Sequence, residues 1–162
     1  MSEDTRVGVP EQGTPPVDSD GVFSWGDEDE AVPPELIAPR TRARIQIIGV
    51  PEVKCSNDPS KTSLWLEVTV VAPDYPTSDP IIDRLFFPDV SSEPRQRNRQ
   101  LTRLQEFKGC FGWTPPAGRP RPGDQYPELS EAVGEATIGI EKDRRGEYPD
   151  RNKISHYEVS AE

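Results

Sequence analysis

Cysteine, histidine and methionine are almost missing from these 162 residues: Cys55 and Cys110 are the only cysteines, His156 the only histidine, and Met1 the only methionine. Two thiols are too few for a disulfide framework, and with a single imidazole they do not fall at zinc-ligand spacing. Both read as reduced thiols, and no metal or other cofactor is expected. Apolar residues are also scarce, at 32% of the chain, and no apolar run approaches the ~20 residues that span a bilayer. No basic segment followed by an apolar stretch marks export, so the expectation is a cytoplasmic protein without a membrane partner. There is no glycine-rich phosphate loop, no G-x-S-x-G elbow and no metal-binding His/Glu pair. His156 falls in an expected strand, away from any nucleophile. The chain is therefore read as a binding protein and not an enzyme.

Proline and acid are abundant, and their placement divides the chain. Nineteen prolines occur, about twice average usage. Residues 1–35 hold Arg6 as their only base against ten acids, so they carry −9 of the chain's net charge of −10. The acidity belongs to this tail, while residues 36–162 are close to neutral. Like-charge repulsion and low apolar content leave such a segment unable to offset its ordering entropy, which predicts a disordered acidic tail over 1–35 and a single folded domain over 36–162. The run Asp27-Glu28-Asp29-Glu30 lacks the alternating ligands and central glycine of a calcium loop.

Proline breaks helix interiors and cannot donate to a sheet ladder, so proline-free windows reveal the elements. Arg40–Val50 alternates Ala43, Ile45 and Ile47 with Arg42, Arg44 and Gln46, the period of a half-buried strand. Ser63–Val71 places Leu64, Leu66, Val68 and Val70 on one face and Trp65, Glu67 and Thr69 on the other. Ile81–Phe87 is a shorter third strand, with Leu85 and Phe87 opposite Arg84 and Phe86. After Ser91-Ser92-Glu93-Pro94, a helix start with proline in its first turn, Leu101, Leu104 and Phe107 recur at three-residue spacing. Gly109 is the expected stop, and Arg95, Arg97, Arg99 and Arg103 are assigned to the outer face. A long connection over Gly112–Gly134, with one helical turn near Glu128–Val133, leads to strands at Glu135–Lys142 and Asn152–Val159. The order β-β-β-α-β-β predicts a mainly β fold, a five-stranded barrel like the OB-fold, with its helix between strands 3 and 4.

On the first three strands, the face opposite the aliphatic one presents Arg42, Arg44, Gln46, Trp65, Arg84 and Phe86. Aromatic rings accept stacked, unpaired bases, and guanidinium and ammonium groups neutralise phosphates. OB-folds bind on the face of strands 2 and 3 and through the loops joining strands 1–2 and 4–5. Those loops hold Lys54 and Lys61, then Arg144, Arg145, Tyr148 and Arg151. The candidate nucleic-acid-binding residues are therefore Arg42, Arg44, Lys54, Lys61, Trp65, Arg84, Phe86, Arg144, Arg145, Tyr148 and Arg151, and the expected ligand is single-stranded DNA or RNA.

From about Leu36 onward the chain also resembles a phage-encoded family of single-stranded-DNA-binding proteins found in replication and recombination gene clusters. The resemblance rests on PPELIAPRTRARIQIIGV, on SLWLEVTVV leading to DRLFF, on the helix RLQEFKGCFGW, and on GEATIGIEKDRRGEYPDRNKISHYEV, with Gly134, Asn152 and Tyr157 at the family's glycine, asparagine and tyrosine positions. It implies an OB-fold and non-sequence-specific coating of single strands in the host cytoplasm. The acid here lies at the N-terminus, whereas single-strand binders often have an acidic C-terminal tail. Replication or recombination proteins are the partners the tail would recruit, and a tethered competitor for DNA is the other role it suggests. A second function from the same residues is a protein-interaction adaptor or DNA mimic, with the barrel as scaffold and the acidic tail as contact.

Overall fold

A computed structural model describes residues 24–26, 34–58, 63–89 and 91–160. Most of the acidic tail expected over 1–35 lies outside the described residues, and so does Lys61. Five strands, β1 (Thr41–Cys55), β2 (Leu64–Val71), β3 (Ile81–Phe86), β4 (Val133–Glu141) and β5 (Arg151–Glu158), and one helix, α1 (Pro94–Phe111), follow in the order β-β-β-α-β-β. The pairings between these strands are all antiparallel, and the strands form one sheet in the order β3-β2-β1-β4-β5. Among the described residues no backbone ladder joins β3 to β5, so the sheet is unclosed.

The period-2 alternation seen in the sequence is what buries the core. Ala43, Ile45 and Ile47 of β1, Leu66, Val68 and Val70 of β2, Leu85 of β3, Ala136 and Ile138 of β4, and Ile154 and Tyr157 of β5 all point inward, where they meet Phe107 of α1. Each large side chain fully removed from water contributes about 1.5–3 kcal/mol.

Strand β1 runs on past Val50, where the sequence places its end. It passes through Pro51 to Cys55, with a register shift against β2 between Ile48 and Glu52 and with Gly49 at φ 70°. Proline is tolerated in strands at such bulges because no ladder bond is asked of it. The bulge also changes β1's partners. Thr41–Gln46 pairs with β4. Beyond that, Ile47 and Val53 donate to Ala132 and Asp124, and Pro51 accepts from Tyr126. The long connection after α1 thus serves as the missing neighbour of β1, and its one helical turn is a 3₁₀ turn at Pro127–Leu129.

The helix also differs from its sequence reading. It continues through Gly109 to Phe111 and ends at Gly112, which adopts the left-handed conformation and caps onto Lys108 O. Gly109 is small for a different reason: a Cβ there would lie 2.9 Å from Val159 Cγ1. Arg103 does not lie on the outer face. Its guanidinium is drawn in between β3 and β5, donating to Asp83 Oδ2 at 2.9 Å, Ile154 O at 2.9 Å and Ser155 O at 3.2 Å.

Two residues of the terminal hairpin motif have structural roles. Asn152 receives the Ile37 N–H at 2.9 Å and donates to Ile37 O at 2.8 Å and to Gly139 O at 3.1 Å, which pins the buried Ile37 to β5. Gly134 lets α1 approach β4, because a Cβ there would collide with Cys110 Sγ and lie 3.2 Å from the Phe111 ring. The Cys110 carbonyl oxygen would stand 3.3 Å away as well, and it yields only if the helix moves. Gly134→Ala is therefore expected to destabilise the protein by about 1–3 kcal/mol, measured by denaturant unfolding. An unchanged midpoint would show that α1 is not seated as described.

Candidate nucleic-acid interface

The outward faces of β1, β2 and β3 form short rows fixed by register. Lys54, Trp65 and Phe86 are cross-strand neighbours, as are Glu52, Glu67 and Arg84, and Ile48, Thr69 and Ile82. The Trp65 and Phe86 rings lie 5.5 Å apart, tilted by 51°. Such a pair contributes about 0.5–1.5 kcal/mol beyond the area it buries. The Arg84 guanidinium stands over the indole at 5.5 Å from its centroid, a cation–π arrangement. Phe86 is 40% exposed and Trp65 half-buried, so rings of both remain available from outside. The indole N–H is shielded from water and has no acceptor among the described residues.

Glu67 stands between the two cations of this patch, 3.0 Å from Lys54 Nζ and 3.6 Å from Arg84 Nε. The patch consequently carries two bases, two rings and two acids, Glu67 between the bases and Glu52 beside it in register. Sequence reasoning put Glu67 on the right face but did not include it in the site, because only the register reveals which bases it neutralises.

The remaining predicted residues divide by location. Arg42 pairs with Glu135 of β4 at 2.8 Å, and Arg44 with Asp74 of the β2–β3 connection at 3.3 Å. Hydrogen bonding to Glu135 raises the pKa of Arg42 further, so its charge is permanent but matched. Arg151 pairs with Glu141 at 2.8 Å at the base of the β4–β5 turn. Above it, Asp143 accepts from the N–H groups of Glu147 and Tyr148, and Gly146 takes a positive φ. This tight turn holds Arg144 and Arg145 outward, with Tyr148 71% exposed beside them. Among the described residues neither Arg144 nor Arg145 has an ion-pair partner.

A cleft of about 670 Å³ runs between the unpaired edges of β3 and β5. Ile82 and Arg84 line it from β3, Arg151 and Lys153 from β5 and Arg103 from α1, and the carboxylates of Asp79, Asp83, Glu141 and Asp150 line it with them. Arg84 therefore belongs both to the aromatic patch and to the cleft, and joins the patch to the base of the turn. Glu35 and Leu36, at the junction between the acidic segment and the folded domain, also line this cleft.

Comparison with protein-family models, curated proteins and solved structures found no match. Function therefore rests on the residues and their placement. No group of three or more His, Cys, Asp or Glu able to hold a metal occurs among the described residues, and none of their helices is long and apolar enough to cross a membrane.

At the inner end of the cleft, Tyr157 donates to Asp83 Oδ2 at 2.6 Å, the same oxygen that receives Arg103. Burial, reinforced by the Asp83 charge, pushes the Tyr157 hydroxyl well above its ordinary range. The neutral hydroxyl is thus favoured by folding. Its contribution is complete below the free tyrosine value of about 10 and is lost as pH rises beyond it. Tyr157→Phe is expected to cost about 1.5–3 kcal/mol at pH 8, the range for a hydrogen bond to a charged group. The gap between the two proteins should narrow at pH 11. Denaturant unfolding at both pH values checks this, and a gap of constant size would refute it.

Proposed function

We propose that this chain is a non-sequence-specific single-stranded-DNA-binding protein with an OB-fold-like, partly open barrel, acting in phage DNA replication or recombination. The observation that carries the reading is the outward-facing Trp65–Phe86 pair with Arg84 across the indole. A solvent-accessible ring pair flanked by cations suits unpaired bases, each stack contributing roughly 1–3 kcal/mol regardless of base. The position of the pair supports the reading as well: β2 and β3 are the strands OB-folds use for oligonucleotides. The β4–β5 turn, a second element of such sites, carries Arg144, Arg145 and Tyr148.

The topology supports the barrel. A long β1 divides its pairing between β2 and β4, the helix lies between β3 and β4, and the edges of β3 and β5 meet through side chains. The phage setting follows from the sequence resemblance. Binding takes neither a cofactor nor catalysis.

In mobility-shift titrations, oligo-dT is expected to bind more tightly than duplex DNA. Trp65→Ala is expected to weaken oligo-dT binding by about 1–3 kcal/mol. Glu67→Gln is expected to strengthen it, because Lys54 and Arg84 lose their competing carboxylate. The log–log salt slope should then steepen by up to about 1.4, or ~0.7 for each additional phosphate neutralised. Failure of the wild-type protein to bind oligo-dT at low salt would overturn the proposal.

A further inference from the structure

The arginines at the start of α1 are the strongest uncompensated charge in the described fold. Arg95, Arg97 and Arg99 are exposed, and none has an ion-pair or side-chain hydrogen-bond partner among the described residues. The first turn holds no acid. Glu93 and Glu106, the acids of this helix and its cap, make no ion pair with any of the three.

Arg95, Arg99 and Arg103 follow one another at intervals of four. They therefore lie on one stripe of the helix, spaced about 6 Å apart along its axis. This arrangement is electrostatically adverse in two ways. Like charges four residues apart repel, and cations in the first turns oppose the positive end of the helix dipole. Arg95 and Arg99 are exposed and make no side-chain hydrogen bond or ion pair among the described residues that would offset this cost. The stripe runs from solvent to the cleft, where Arg103, Arg84, Arg151 and Lys153 share the lining with Glu35, Asp79, Asp83, Glu141 and Asp150, and where only Lys153 of the four bases has no ion-pair partner among the described residues. Arg84 in turn covers Trp65. The cleft itself offers no net positive charge, so a polyanion leaving the aromatic patch across the β3 edge would find unpaired cations at Lys153, Arg99 and Arg95.

We propose that the Arg95–Arg99 face of α1 is a phosphate track, which extends the sheet-face site so that a longer single strand continues from Trp65 and Phe86 over the cleft and along the helix. This rests on the single-strand-binding function above and adds a second zone to it. The zone reads no bases. It holds only backbone phosphates, and so acts only on strands long enough to reach it.

The double variant Arg95→Ala/Arg99→Ala tests the track, with fluorescence anisotropy of oligo-dT of about 6 and about 20 nucleotides, the first near the lower end of common single-domain site sizes and the second beyond their upper end. Wild type and variant should bind the short strand equally. The variant should bind the long strand roughly tenfold more weakly at low salt, with a salt slope smaller by about 1.4 because two phosphates are no longer neutralised. Its melting temperature should be unchanged or higher, since adverse charges are removed. A fall in melting temperature would mark a structural role and overturn the track. Equal weakening on both lengths would place the arginines in the central site, and unchanged affinity for both would assign the helix to another partner, such as an acidic protein; either result overturns it. If wild type binds neither strand, the single-strand-binding function itself fails, a result distinct from the other three.

Discussion

One carboxylate ties together the three elements that the backbone leaves apart. Asp83 on β3 accepts from Arg103 of α1 and Tyr157 of β5, and Arg103 also donates to two carbonyls of β5. The sheet has two free edges, and at this point they are held together by side chains and not by a ladder. The Tyr157 ring packs edge-on against Phe107, with centroids 5.2 Å apart, so the polar clasp is continuous with the apolar core. Removing one partner of such a partly buried group costs far more than the bond is worth, because the others lose their solvation without recompense. The clasp leaves the rest of both edges open, and the cleft between them is the consequence.

Charge across the molecule is distributed in two regimes. On the sheet face nearly every base has an acid within reach: Arg42 with Glu135, Arg44 with Asp74, Lys54 and Arg84 with Glu67, and Arg151 with Glu141. Exposed pairs of this kind contribute little to stability, and a phosphate competes with the carboxylate for the same cation. The bases at the start of α1 and at the tip of the β4–β5 turn have no such competitor among the described residues. Stacking on the face and charge at its margins are thus separate contributions, the first independent of salt and the second strongly dependent on it.

Glycine and asparagine in the motif-like stretches have a double reading. Gly134, Asn152 and Tyr157 are the positions on which the family resemblance leans, and each has a packing role here: close approach of α1 to β4, anchorage of Ile37, and the clasp with Asp83. They specify how the barrel-like sheet is assembled. The residues available to a ligand, Trp65, Phe86, Arg144 and Arg145, lie elsewhere.

Element order, the alternating faces of the first three strands and the shared face of Trp65, Arg84 and Phe86 were legible from the sequence alone, because the period of two and the rarity of proline-free windows are local properties of the chain. The position of the helix between β3 and β4 was legible for the same reason. Tertiary structure alone decided the rest. Gly109 stays inside α1 because its small size serves Val159, far away in the sequence, while Gly112 takes the left-handed conformation that ends the helix. Whether Pro51 ends β1 depends on a bulge and on a connection that supplies new partners from residues 123–132. Arg103 is drawn inward because Asp83 and two β5 carbonyls await it, while Arg95 and Arg99 on the same stripe stay exposed. Periodicity states which face a side chain takes; only the packing of one element on another states what stands opposite, and charge compensation is a property of what stands opposite.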